Sequence, residues 1–128
     1  MAPWVRTCVN STLEELIAQS REEHPTWPEE VLQIWCAAKK RMDPNILTIL
    51  RINGTDWQQT VPGITFPVLV VTADPDKGGI ITPELAAKVG DLNNRFTIAH
   101  IPGTGHHIRF ENYADYMDSV RLFLKKIS

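Results

Sequence analysis

The chain has 128 residues, of which 43% are hydrophobic and 22% are charged, as expected for one ordinary folded domain. Its net charge is -2 and its basic residues form no stripe, which argues against a nucleic-acid partner. Cys8 and Cys36 lack the C-x-x-C spacing of zinc and redox sites, and no cofactor or metal is predicted. The first ten residues lack the apolar run of a signal peptide, and no segment is long enough to cross a membrane. We therefore expect a cytoplasmic protein with reduced thiols.

The first part of the chain predicts helices. Thr12 and Glu15 form a possible capping box, and apolar residues follow at helical spacing to about His24. A second helix is predicted from Pro28 to about Met42, because proline is favoured at a helix start.

A third short helix is predicted over residues 43–52, where Asp-Pro repeats the start signal. Residues 53–65 are predicted to be a loop. We place the boundary of this helical region at residue 62, so that it spans residues 1–62.

Residues 63–128 alternate between strand and helix signals. Residues 67–72 are apolar at consecutive positions, which indicates a parallel strand covered on both faces. Thr82 and Pro83 start a helix that Gly90 is expected to end, and residues 95–101 form a second strand. A last helix carries apolar residues at three- and four-residue spacing, namely Phe110, Tyr113, Met117, Val120 and Leu124. The predicted fold is α/β, with a βαβα unit preceded by helices.

Polar side chains follow both predicted strands. Asp74 and Asp76 lie in the first loop, and His106 and His107 lie in the second. Because parallel neighbours bring such loops to one edge of the sheet, an aspartate there can orient a histidine that acts as a general base.

These loops resemble the C-terminal part of an α/β-hydrolase. The segment FPVLVVTADPDKGGIITPE resembles the penultimate strand and acid loop of that family, and FTIAHIPGTGHHIRFENY resembles its last strand and histidine loop. Residues 12–56 resemble the lid helices. The resemblance implies a partial α/β-hydrolase fold in which Asp76 is the catalytic acid and His106 the base. Asp74 and His100 are expected to be structural.

The chain departs from the family in lacking the nucleophile. No G-x-S-x-G elbow occurs, and none of the four serines has such glycine neighbours. We therefore expect a truncated or split hydrolase-like protein with the Asp/His pair of a catalytic triad, inactive alone on ester or related carbonyl substrates.

Other interpretations of these residues stay open. Asp76 can be a simple turn former, and His106 with His107 can be a surface pair. A metal site built from Asp76, His106 and His107 lacks supporting spacing. Arg109 and Glu111 are expected to form a salt bridge.

Two strands alone do not make a stable sheet, so the edge of strand 67–72 requires a partner. We expect a homodimer joined through this edge or a separate N-terminal hydrolase fragment. The alternative functions are a non-enzymatic dimerising or small-ligand-binding remnant, or a small enzyme that uses activated water.

Overall fold

The computed structural model describes residues 3–46 and 56–128, which belong to two compact units divided after residue 54. Most of the third predicted helix, over residues 43–52, lies outside the described residues. The segment 56–62, assigned above to the helical region, belongs to the second unit.

The described part of the first unit contains three helices, α1 (Pro3–Asn10), α2 (Leu13–Glu23) and α3 (Glu29–Lys40). The capping box is confirmed, since Thr12 Oγ1 accepts from Glu15 N at 3.2 Å and Glu15 Oε2 accepts from Thr12 N at 2.8 Å. Helix α1 was not predicted from the sequence. This short helix is held by packing on α3, with its Val5 side chain fully buried.

Lys40 links two helices of this unit. Its Nζ donates to Val9 O and to Ser11 O, both at 2.7 Å, where α1 ends. We expect Lys40→Met to lower the free energy of unfolding of this unit by about 1 kcal/mol, because the variant keeps the apolar stem and loses both hydrogen bonds. Urea unfolding followed by circular dichroism measures the change. Arg41→Met removes the next cation along the chain and is the comparison, because Lys39 lies over the Trp4 and Trp35 rings. An equal loss in Arg41→Met would contradict the assignment to these two bonds.

The second unit is built around two parallel strands, β1 (Val68–Thr72) and β2 (Phe96–His100). Their register runs from Val68 opposite Phe96 to Thr72 opposite His100. Helix α5 (Pro83–Leu92) connects them. The predicted βαβα order is confirmed, and it brings the carboxyl ends of both strands to one edge of the sheet.

Three details differ from the predictions. The expected loop contains helix α4 (Trp57–Thr60) and a 3-10 turn, because the Asp56 carboxylate caps the helix by accepting from Gln58 N. Helix α5 passes Gly90 and ends at Asn93, whose Nδ2 donates to Val61 O and Ile64 O. The last helix is two helices, α6 (Ile108–Glu111) and α7 (Tyr113–Ile127), because Asn112 caps the second.

Helix α5 and helix α7 cover opposite faces of the sheet. Ile98 and His100 border a cavity beside α5, whereas Thr97 and Ala99 border one beside α7. Adjacent residues of a strand point to opposite faces, so these lining residues place the helices on different sides. Within the described ranges, no helix combines the length and apolar character needed to cross a membrane.

Candidate functional site

The acid loop leaves β1 after Thr72. Residues Pro75–Lys77 form a 3-10 turn that ends at Gly78, whose φ of 95° suits glycine. Asp76 lies in this turn and its side chain is exposed. The sequence therefore folds into a tight turn that holds Asp76 at the carboxyl edge of the sheet.

The histidine loop leaves β2 after His100. Gly103 turns the chain with a φ of 79°, and Thr104, only 2% exposed, anchors the loop by donating from Oγ1 to Ile101 O at 2.7 Å. His106 follows with an exposed side chain, and its ring meets the His107 ring edge-on at 4.7 Å.

The two loops touch through their backbones. A Cβ added to Gly105 would lie 2.1 Å from Lys77 O, and one added to Gly78 would lie 4.0 Å from His106 N. Only glycine permits the first approach, because no real Cβ tolerates that distance. The fold thus places the turn of Asp76 beside the backbone of His106.

The hydrogen bonds between the loops centre on Asp74 instead of Asp76. Asp74 Oδ1 pairs with His100 Nε2 at 3.0 Å, and Asp74 Oδ2 accepts from Gly103 N at 2.8 Å. Among the described residues, no hydrogen bond joins Asp76 to His106. The pairing of those two side chains therefore stays a prediction, and the observed hydrogen bonds between the loops are made by Asp74 with His100 and Gly103.

The contact between Asp74 and His100 was not predicted from the sequence. The contact follows from the register of the folded sheet, in which Thr72 and His100 are opposite each other and Asp74 lies two residues beyond Thr72, and no local sequence pattern announces that register. His100 Nδ1 also lies 3.1 Å from Thr72 Oγ1, so both ring nitrogens are engaged.

The environment of Asp74 lowers the pKa of its carboxyl below the usual value of 3.8, chiefly through the Gly103 N–H and then through His100 and Lys77. A lowered folded-state pKa stabilises the protein above the unfolded value, and this stabilisation is lost as the pH falls through the folded pKa. We expect Asp74→Asn to be less stable than the unmodified chain at pH 6, with the difference shrinking below pH 3.8. Thermal unfolding across this range measures it, and a difference independent of pH would refute the assignment.

The expected salt bridge between Arg109 and Glu111 is wrong. Glu111 Oε2 instead accepts from Gly105 N at 2.5 Å, and the Arg109 guanidinium lies over the Phe110 ring at 4.3 Å. Glu111 therefore ties the start of the last helices to the residue that precedes His106.

A cavity of about 270 Å³ opens beside His106. Its walls are mostly apolar and include Val71, Ile80, Ile81 and Ile108. His106 is among the residues that line this space. In the part of the chain that the structure describes, no cluster of side chains could hold a metal ion.

Neither a protein-family model nor a curated protein sequence matches the chain. Solved structures do match. An alanine variant of the N-formylmaleamic acid deformylase Nfo from Pseudomonas putida S16 aligns with a TM-score of 0.65 and 19% identity, over 91% of this chain and 45% of that one. E-2-(acetamidomethylene)succinate hydrolase aligns with a TM-score of 0.62 and 15% identity, over 88% and 45%.

These likenesses bear on the fold alone, since both identities are below 20%. The chain spans a little under half the length of each matched protein. The chain therefore has part of the α/β-hydrolase fold.

Proposed function

We propose that this chain carries the acid and the base of a hydrolase triad, Asp76 and His106. The observation that supports the proposal most is the backbone contact between their loops beside an apolar cavity. The substrate class is an ester or a related carbonyl compound, and the site of action is the cytoplasm, where Cys8 and Cys36 stay reduced.

In this proposal His106 acts first as a base and then as an acid. It takes the proton of a serine-type hydroxyl as that oxygen attacks the carbonyl carbon, and it returns the proton to the leaving group as the acyl bond breaks. Water then attacks the carbonyl carbon of the acyl intermediate with the same proton transfers, the bond to the serine-type oxygen breaks, and the carboxylic acid product is released. Asp76 fixes the orientation of the ring and stabilises its charged form. Both side chains are exposed, and we propose that they join when substrate binds, as catalytic hydrogen bonds often tighten only at that stage.

The nucleophile must come from polypeptide beyond the described residues or from another chain, since the sequence has no G-x-S-x-G elbow. The free edge of β1 is the place where we propose that it joins. Val68 N donates to Arg95 O and Ile101 N donates to Thr72 O, so even-numbered residues of β1 face β2. Leu69 and Val71 therefore direct their N–H and C=O groups outwards, ready for another strand.

A reconstitution experiment tests this function. The chain is coexpressed with the part of the Pseudomonas putida deformylase that its own fold does not match, and complex formation is checked by light scattering. Assayed with p-nitrophenyl acetate, the isolated chain should not exceed the buffer rate, and the complex should turn over. A stable complex without turnover would contradict the proposal.

A second candidate is a dimerising module without activity. It is favoured by an apolar stripe along α7, where Tyr113, Leu124 and Ile127 are 64%, 51% and 46% exposed. Two copies can pack their α7 stripes against each other around a two-fold axis. Light scattering at micromolar concentration should then give twice the chain mass, and Leu124→Lys should reduce it. A monomer at that concentration would remove this candidate.

A further inference from the structure

We infer that Asp74 and His100 form a positioning pair that holds the His106 loop against the Asp76 loop. The inference rests on the proposed function for its catalytic meaning, whereas the geometry of the pair stands by itself. Neither residue is assigned to the acid-base pair.

Asp74 bonds to both loops through its side chain and its backbone. Its carboxylate forms a hydrogen bond with His100 Nε2 at the end of β2 and accepts another from Gly103 N in the histidine loop. Its backbone N–H donates to Thr104 O at 2.9 Å. Its carbonyl accepts from Lys77 N at 3.1 Å and from Gly79 N at 2.9 Å, within its own turn. One residue thus connects the turn that holds Asp76 to the segment that leads to His106.

His100 fixes the direction of the Asp74 carboxylate. One ring nitrogen faces Asp74 and the other faces the Thr72 hydroxyl, which belongs to a residue only 5% exposed. A ring held at both nitrogens cannot rotate without breaking a bond. The carboxylate is therefore aimed at Gly103, three residues before His106.

The two loops that this pair holds together are in close backbone contact. The Gly105 backbone lies against Lys77 O with no space for a Cβ, so a shift of the histidine loop separates Gly78 from the His106 backbone. Lys77 Nζ adds a weak contact to Gly103 O at 3.4 Å. Loss of the Asp74 carboxylate therefore releases the loop at Gly103, and the resulting shift weakens the bond that Gly105 N donates to Glu111 Oε2 two residues further on.

Nuclear magnetic resonance on the complete chain tests the pair. In Asp74→Ala we expect the amide of Gly105 to exchange about tenfold faster, and the nuclear Overhauser contact between Gly78 and the His106 amide to vanish, while contacts between β1 and β2 persist. Asp74→Asn keeps an acceptor for Gly103 N and should restore most of the protection. Asp76→Ala removes a carboxylate from the same turn and should leave Gly105 exchange unchanged.

Equal Gly105 exchange in the Asp74→Ala and Asp76→Ala variants would overturn the inference. If Asp74→Ala fails to fold, His100→Ala serves instead. We expect the Gly105 amide to exchange about threefold faster in that variant, and an unchanged exchange rate would overturn the inference. A released loop combined with full turnover of a His106→Gln complex would leave the positioning pair standing and refute the proposed function. If the loop is unchanged in Asp74→Ala and the His106→Gln complex is inactive, the positioning pair is refuted and the proposed function stands.

Discussion

Replacing His106 by glutamine is expected to lower the turnover of the reconstituted complex by about 10²–10⁴-fold, the usual contribution of a general base. Glutamine keeps a polar side chain of similar length and cannot take a proton at neutral pH. In the proposed function the apolar walls of the cavity bind the substrate, so KM should change little while kcat falls. The measurement is steady-state hydrolysis of p-nitrophenyl acetate with and without the substitution.

Two variants make this result specific. Asp76→Asn should also lower kcat strongly, because asparagine cannot stabilise the charged imidazole. His107→Gln changes the neighbouring histidine, whose ring meets that of His106 edge-on, and should keep most of the activity. Equal losses in the two histidine variants would show that the loop, and not the base at position 106, had been damaged.

Replacing Gly105 by alanine is expected to destabilise the second unit by about 1–3 kcal/mol, the usual cost of forcing extra atoms into a packed site. The new Cβ would lie 2.1 Å from Lys77 O and 3.5 Å from Glu111 Oε2. Because Lys77 O belongs to the backbone, the loops must separate to admit it. Thermal and urea unfolding measure the loss, and the reconstituted complex should lose activity in parallel.

Gly90→Ala is the matched control. A Cβ at this position in α5 meets nothing within 4 Å, and alanine favours the helix over glycine by about 0.5–1 kcal/mol. This variant should therefore be as stable as the unmodified chain or more so. A Gly105→Ala protein of unchanged stability would show that the two loops are not held together in solution.

The larger elements were predictable because their signals are local. The capping box of α2, the apolar run of β1 and the Thr-Pro start of α5 each lie within a few neighbouring residues. The misses depend on tertiary contacts. Asn93 ends α5 through bonds to Val61 and Ile64, about thirty residues earlier, and no local pattern announces that stop.

The candidate site likewise has features that were predictable from the sequence and features that depend on tertiary contacts. The spacing of the two loops was predictable from the βαβα order, and so was the placement of both at one edge of the sheet. It was not predictable which of Asp74 and Asp76 forms a hydrogen bond with a histidine. It depends on the Thr72 to His100 register and on the turn at Gly103, which are set only when the strands pair.

The outer edge of β1 also affects how the protein must be handled. From Phe66 to Ala73 the chain carries no charge, and the Phe66 side chain is 63% exposed. A short uncharged strand with outward amides is a template for ordered aggregation, which Pro67 at its start opposes. Concentrated preparations should accordingly bind amyloid dyes over time, and a lysine introduced at Phe66 should delay that signal.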